Sequence, residues 1–305
     1  MELSKDLFTH IPKSVEEGEL IARPSITFWQ DVWRRFKKNP AAMFALSLLA
    51  VMVVMVIIGP HMRGFSYNKI DGDLKDIAPN GTYWFGTDSA GRDIFTRVWM
   101  AGRTSLIIGL TAAVLVTIVG ILYGCIAGFV GGGVDTVMMR IIEILSALPY
   151  LLIVILLQIR LKDRSLKTLL LALVITGWTG TARLVRGEVL KVKSQEFVLA
   201  AQTLGVSTWK IILKHIIPNV MPVVIVSLSF DVPGFIFAES FLSYMGIGLA
   251  PPETSWGIMC SEAQLNLMFY PYQLFFPSLM IALVMLCFTL LGDGLRDALD
   301  PKLRK

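Results

Sequence analysis

Apolar residues along this chain fall into long unbroken runs, not into the two-residue alternation of half-exposed strands or the narrow stripe of soluble helices. Six runs stand out, at residues 41–59, 105–129, 137–159, 166–189, 220–241 and 275–291. Each approaches the roughly 20 residues a helix needs to cross a hydrocarbon core of about 30 Å. The pattern predicts an all-α polytopic membrane protein with six transmembrane helices. Residues 28–36 behave differently: Phe28, Trp29, Val32, Trp33 and Phe36 recur at three- and four-residue steps. That spacing predicts a helix lying in the membrane interface with one apolar face.

Composition sharpens this picture. The 305 residues are 54% hydrophobic and 17% charged, where a soluble domain carries about 25% charge. The first 20 residues hold no apolar core, so no secretory signal is expected there. The net charge is +5, but the basic residues border the apolar runs, which points to membrane topology rather than nucleic acid. With both termini on one side, that side carries eighteen Lys and Arg and the other ten, predicting that both termini are cytoplasmic. Arg34, Arg35, Lys37 and Lys38, just before the first run, agree. Arg160, Lys162, Arg164 and Lys167 do not, because they crowd one short outer loop; acidic lipid, a partner or Asp163 are the available counter-charges.

The chain divides accordingly into a cytoplasmic tail with interfacial helix (1–40), a first span (41–59), an extracytoplasmic segment (60–104), a five-helix core (105–294) and a cytoplasmic tail (295–305). The core contains an inner loop at 194–218 and an outer loop at 242–274.

The inner loop is amphipathic and charged rather than a simple turn. Gln195 to Leu204 reads as a short helix closed by Gly205, the residue most easily placed in the left-handed cap conformation. Ser207 is expected to cap a second helix from Thr208 to Ile217, with Pro218 opening the next apolar run. Ala200 and Ala201 leave one face of the first helix nearly bare, flanked by Phe197 and Leu204. A bare face lets another protein approach the backbone closely, so the loop reads as a docking knob.

The run Leu199-Ala200-Ala201-Gln202-Thr203-Leu204-Gly205, with Pro218 thirteen residues past the glycine, resembles the EAA loop of ABC importer permeases, Leu199 standing where the family name has Glu. Further matches are Gly86-Thr87-Asp88-Ser89-Ala90-Gly91-Arg92-Asp93, the run from Glu239 to Gly248 followed by Pro251-Pro252 and Ser255-Trp256-Gly257, and the ending from Gly292 to Pro301. Together they resemble the peptide and nickel branch of these permeases, the C-type subunit of oligopeptide importers most of all. The resemblance implies a type I ABC importer permease fold in which Leu199, Ala200, Ala201, Gly205 and Pro218 belong to a cytoplasmic coupling helix and its loop. It implies as partners a second homologous permease, two ATP-binding-cassette ATPases and an extracytoplasmic peptide-binding protein, in the plasma membrane of a bacterium. ATP and Mg would sit on the ATPases and no cofactor on this chain. The cargo implied is an oligopeptide, with dipeptide, nickel or other small cargo as the alternative.

Several polar residues interrupt the apolar runs. Asp231 lies near the middle of the fifth run, Glu239 near its outer end and Glu143 early in the third. A carboxylate at mid-membrane costs about 2.5–3.5 kcal/mol on insertion scales, so it faces protein or water. An ion relay, a polar wall of a water-filled path and a hydrogen-bonded helix contact are the readings open. Asp231, Ser227 and Glu239 are the candidate path residues. Pro233 is expected to interrupt the helix ladder beside Asp231. Gly120, Gly124 and Gly128 form a close-packing face for a helix of this chain or of a second permease. Arg183, Arg186, Glu188, Lys191 and Lys193, at the end of the fourth run, either snorkel and pair locally or frame the inner loop. In the outer segment, Asp88 is expected to cap the helix of the second span and Arg92 to pair with a neighbouring carboxylate. Asp71, Asp73 and Asp76 lack the glycine and glutamate positions of a calcium loop.

Other chemistry is missing. No Gly-x-x-x-x-Gly-Lys-Ser/Thr loop is present, so the chain itself is not the ATPase. His10, His61 and His215 have no partner at metal or triad spacing, and Cys125, Cys260 and Cys287 have no metal spacing. An intramembrane enzyme therefore lacks a nucleophile with a base. A channel or secondary carrier accounts for six spans but leaves the docking loop without a purpose.

Overall fold

A computed structural model describes residues 27–300, and among them no strand forms; one isolated β-bridge pairs Thr87 with Asp93. Helix α1 (Phe28–Phe36) turns Val32 and Phe36 inward and leaves Trp29 and Trp33 exposed, as its periodicity predicts. Helix α2 (Pro40–Ile58) starts where Asn39 Oδ1 accepts from the Ala42 amide at 3.1 Å. Pro40 occupies the first position, where no N–H is needed.

Helix α3 (Ile94–Val130) has 37 residues and is about 55 Å long at 1.5 Å per residue. It begins well before residue 105, where the apolar run starts, because its first turns bury Ile94, Phe95, Val98 and Ala101 while their charged neighbours find partners. The cap is Asp93, not Asp88: Asp93 Oδ2 accepts from the Thr96 amide at 2.8 Å and from Thr96 Oγ1 at 2.6 Å. Asp88 is committed to two arginines instead.

The third apolar run is not one straight span. Helices α4 (Gly132–Ala147) and α5 (Tyr150–Leu161) meet at a bend of 82°. The cause is Pro149, whose ring drives Leu148 out of the helical region to ψ 130°. Among the described residues, five helices are long and apolar enough to cross a membrane, and the bent pair makes a sixth passage if counted as one broken span.

Helix α6 (Leu166–Lys193) leads to α7 (Glu196–Thr203) and α8 (Thr208–Ile211). Pro218 does not open a separate helix. The chain stays helical from Thr208 to Tyr244, passing through a π-turn at Ile212–Ile216 into α9 (Ile217–Tyr244). In that turn the Ile217 amide reaches Ile212 O, and the wider ring relaxes the clash a proline makes with the carbonyl four residues earlier. Pro222 and Pro233 also lie inside α9, so Pro233 does not end the helix. Helices α10 (Trp256–Ala263) and α11 (Pro271–Leu299) complete the described chain.

Helices α3 and α6 form the most extensive pair, α9 packs on α3 and α11, and α11 holds α2 and α1. The glycine face of α3 explains the first pairing and is internal. A β-carbon at Gly120 would stand 2.7 Å from Thr181 Cβ, at Gly124 2.6 Å from Ala182 O, and at Gly128 3.0 Å from Val189 Cβ. Only hydrogen fits there.

The basic outer loop between α5 and α6 now has an account for one of its cations. Arg164 donates to the carbonyls of Gly246 at 2.5 Å and Gly248 at 3.2 Å, and Gln158 Nε2 donates to Ile247 O at 2.6 Å. These bonds clamp the turn after α9. The Asp163 carboxylate, below its ordinary range because the hydroxyls of Ser165 and Thr168 donate to it, shapes the loop itself.

Gly124→Val is expected to destabilise the purified protein by about 1–3 kcal/mol, the usual cost of overpacking, whereas Gly180→Val, with open space around its β-carbon, has little effect; thermal unfolding in detergent compares them. A depressed carboxylate stabilises above its unfolded value and loses that contribution only as pH falls through the folded value. Protection of the Ser165 amide, measured as its exchange rate relative to that of an unstructured chain at the same pH, is therefore expected to hold at neutral pH and to be lost only in acid, as the pH falls below the ordinary carboxylate range.

Candidate coupling surface and polar sites

Helix α7 ends as its sequence predicts. Gly205 has φ +73°, its amide donates to Gln202 O at 3.0 Å, and the Val206 amide reaches back to Ala201 O at 3.1 Å. That pair of bonds is a Schellman cap, which needs a residue at positive φ. Ser207 sits at the start of α8, but its side chain makes no capping bond.

The two faces of α7 separate by helical spacing. Val198 and Ala201 point inward, among Cys125, Phe129, Val185, Val189, Ile211 and Ile216. Val198 is completely buried, which is worth about 1.5–3 kcal/mol, so the helix is seated rather than draped. Phe197, Leu199, Ala200 and Leu204 face outward. Ala201, expected on the outward face, is thus part of the seat: it follows Val198 by three residues and shares its side of the helix. Leu204 is 82% exposed, and Trp209 and Leu213 extend the apolar surface past α7. Pro218 is exposed on the helix leading away.

Three cations at the end of α6 brace this seat against other helices. Lys193 Nζ donates to Phe129 O at 2.5 Å, at the end of α3. Arg186 makes two 2.5 Å bonds to the Asp135 carboxylate in α4, and Arg183 donates to Ser146 Oγ at 3.0 Å. Lys191 and Glu188 pair locally at 2.7 Å. Asp135 and Ser146 were not legible as partners, because nothing in their local spacing marks them.

Of the candidate path residues, Ser227 and Asp231 meet one helical turn apart, and Glu239 stands away from both. Asp231 and Glu239 lie on one helix, about 12 Å apart along its axis. Asp231 is half-buried beside the hydroxyls of Thr181 and Ser227, and its Oδ2 has no hydrogen-bond partner. Glu239 is completely buried. It accepts from Ser105 Oγ at 3.0 Å and Ser243 Oγ at 2.8 Å, and Ser105 Oγ in turn accepts from the Trp256 amide at 3.3 Å. It therefore sits in a helix contact joining α3, α9 and α10. Glu143 is exposed and pairs with Arg140 at 2.6 Å.

At the start of α3 the Gly86–Asp93 motif forms a knot. Arg92 pairs with Asp88 and with Glu262, each at 2.8 Å, as expected for Arg92. Buried Arg97 bonds the same two carboxylates, reaching Glu262 at 2.8 Å. Thr87 O accepts from Gln273 Nε2 at 3.1 Å. Gly86 and Gly91 adopt positive φ, and a β-carbon at Gly86 would stand 2.6 Å from the Tyr272 ring. The knot ties the segment before α3 to α10 and to the start of α11. Glu262 escaped the sequence reading because it is 165 residues from Arg97.

Arg97→Ala would remove one of the two arginines on Asp88, a charged hydrogen bond worth about 1.5–3 kcal/mol, while Arg92 stays in place. Limited proteolysis is expected to open the segment at 60–93 in that variant, while Arg140→Ala, which breaks an exposed pair, leaves digestion unchanged.

Comparison with known proteins agrees with this architecture. Residues 120–305 match the family described as binding-protein-dependent transport system inner membrane component. Residues 27–79 match the N-terminal TM domain of oligopeptide transport permease C. The dipeptide transport system permease protein DppC of Bacillus subtilis (strain 168) is 47% identical over 290 residues, covering 95% of this chain and 90% of that protein. The oligopeptide transport system permease protein OppC of the same strain is 45% identical over 303 residues, 99% of each. Its namesake from Haemophilus influenzae is 42% identical over 299 residues, 97% of this chain and 95% of that protein. Matched over most of its length and built of membrane-spanning helices, the chain belongs to the family of binding-protein-dependent transport system inner membrane components.

Proposed function

We propose that this chain is the membrane-spanning permease subunit of an ATP-binding-cassette importer that brings oligopeptides into a bacterial cell. The observation that carries the proposal is the two-sided helix α7: its inner face is locked into the protein by Val198 and Ala201, and its outer face presents exposed Phe197, Leu199, Ala200 and Leu204. A rigid element with an unpaired apolar face is what transmits force between two bodies. Its receiver is an ATPase subunit, two of which bind the ATP and Mg that this chain does not. A second homologous permease completes the path, and an extracytoplasmic binding protein delivers the peptide. Both termini and α7 are cytoplasmic in this scheme.

When the ATPases close on nucleotide, α7 is pushed as a unit. Gly205 sets the angle at which its end turns back, and the helical continuity from Thr208 through Pro218 to Tyr244 carries the motion into α9. Lys193 and Arg186 carry it into α3 and α4. On α9, Asp231 and Ser227 supply hydrogen-bonding groups to a passing peptide backbone, while Glu239 holds the outer end of the same helix to α3. The chain contributes no bond-breaking step. Relatives named for oligopeptide and for dipeptide transport support peptide cargo, and the 47% relative named for dipeptides keeps short peptides as the second reading.

In the reconstituted complex, Leu204→Asp is expected to lower uptake of a labelled oligopeptide by at least about tenfold, the scale of a lost interface anchor, with assembly intact and ATP hydrolysis no longer peptide-dependent. Ala201→Glu, which buries a charge in the seat, is expected to abolish assembly instead. Normal uptake and coupling in Leu204→Asp would exclude α7 as the site where force enters.

A further inference from the structure

Helix α1 does more than lie beside the bundle. Val32 and Phe36 fix it against Ala42, Ala45, Leu291, Ala298 and Leu299, at the level where α2 begins and α11 ends. Both are candidate spans, so this level is a membrane surface whichever way the chain is oriented. Exposed Trp29 and Trp33 on α1 suit that depth, since tryptophan concentrates at the headgroup boundary.

Between α1 and the end of α11 lies a cavity of about 310 Å³, room for roughly ten water volumes at ~30 Å³ each. Arg34, Arg35 and Lys38 line it, with Asp297 as the one carboxylate among the described residues of the wall. The cations are poorly satisfied by the protein. Asp31 takes Arg35 Nη2 at 2.8 Å and only approaches Arg34, at 3.9 Å. Arg35 Nη1 is buried with no hydrogen-bond partner, a costly state for a charged donor. Lys38 enters none of the ion pairs among the described residues, and Asn39 spends its side chain on the Ala42 amide.

We propose that this cavity is a binding site for the phosphodiester headgroup of an anionic phospholipid. The Arg34 guanidinium and the Lys38 ammonium hold the phosphate, the Arg35 guanidinium behind them adds an uncompensated positive charge to the wall, and the acyl chains leave along the apolar flank of α2, where Phe44 and Val51 are exposed. A guanidinium fork and a mobile ammonium are the usual phosphate-binding pair. The site would pin α1 to the bilayer and, through α11, fix the depth of the bundle.

The test is native mass spectrometry of the detergent-purified transporter complex with added dioleoylphosphatidylglycerol, dioleoylphosphatidylcholine or inorganic phosphate. The wild type is expected to retain phosphatidylglycerol over phosphatidylcholine. Lys38→Gln should weaken that retention by about fivefold and Lys38→Gln with Arg35→Gln by about thirtyfold, the scale set by removing one and two cations from an anionic surface. Lys37→Gln removes a charge that stacks on Trp33 at 4.9 Å outside the cavity, and should leave retention unchanged. Three outcomes would each overturn the proposal: equal retention of the two lipids, equal loss in Lys37→Gln and Lys38→Gln, or binding of inorganic phosphate with no lipid preference. Because Lys38→Gln spares the Arg35–Asp31 pair, it reports on the site even if the double variant fails to fold.

Discussion

The close approach of α3 and α6 is the contact on which the rest of the molecule depends. Lipid tails are as apolar as leucine, so helices in a bilayer are held by fit rather than by expulsion from water. Here the fit comes from three glycines one turn apart, against which Thr181, Ala182, Val185 and Val189 lie directly on backbone. The facing ends of these two helices supply Phe129, Val185 and Val189, the floor on which α7 is seated. Any change that spreads α3 from α6 therefore loosens the seat of α7.

Polar chemistry is placed at the ends of helices rather than along them. Lys193, Arg186 and Arg183 tie one end of α6 to α3 and α4, Arg164 clamps the turn after α9, and Arg97 with Arg92 closes the knot before α3. Arginine suits these tasks because its fork reaches two acceptors at once. Within the bundle, Glu239 is ringed by serine hydroxyls, and Asp231 keeps one oxygen unpartnered. One carboxylate is spent on structure and the other is left partly unsatisfied by the protein.

The proposed function asks for this division, since movement would pass from an exposed knob through stiff connections without melting the bundle. The capped helix α7, the π-turn that carries the chain past Pro218, and the braces at the end of α6 are such connections. The bend at Pro149 leaves α4 joined to the same end of α6 by Arg186, so α4 is positioned to move with α7.

Much of this was legible in the residues alone. Runs of apolar side chains determine where helices form in a membrane, since within a single continuous run only a helix satisfies every N–H and C=O. Gly205 closing α7, the small face at Gly120, Gly124 and Gly128, and the amphipathic helix at Phe28–Phe36 were likewise local features, visible because spacing along a helix maps to a face. The tertiary structure alone decided which of two adjacent alanines faces out, and that Asp88 serves Arg92 and Arg97 while Glu262 completes the knot. It also decided that the helix runs on through Pro218, and that Glu239 packs inside. Each of these depends on a partner distant in the chain or on how two bodies meet, and neither leaves a mark in local spacing.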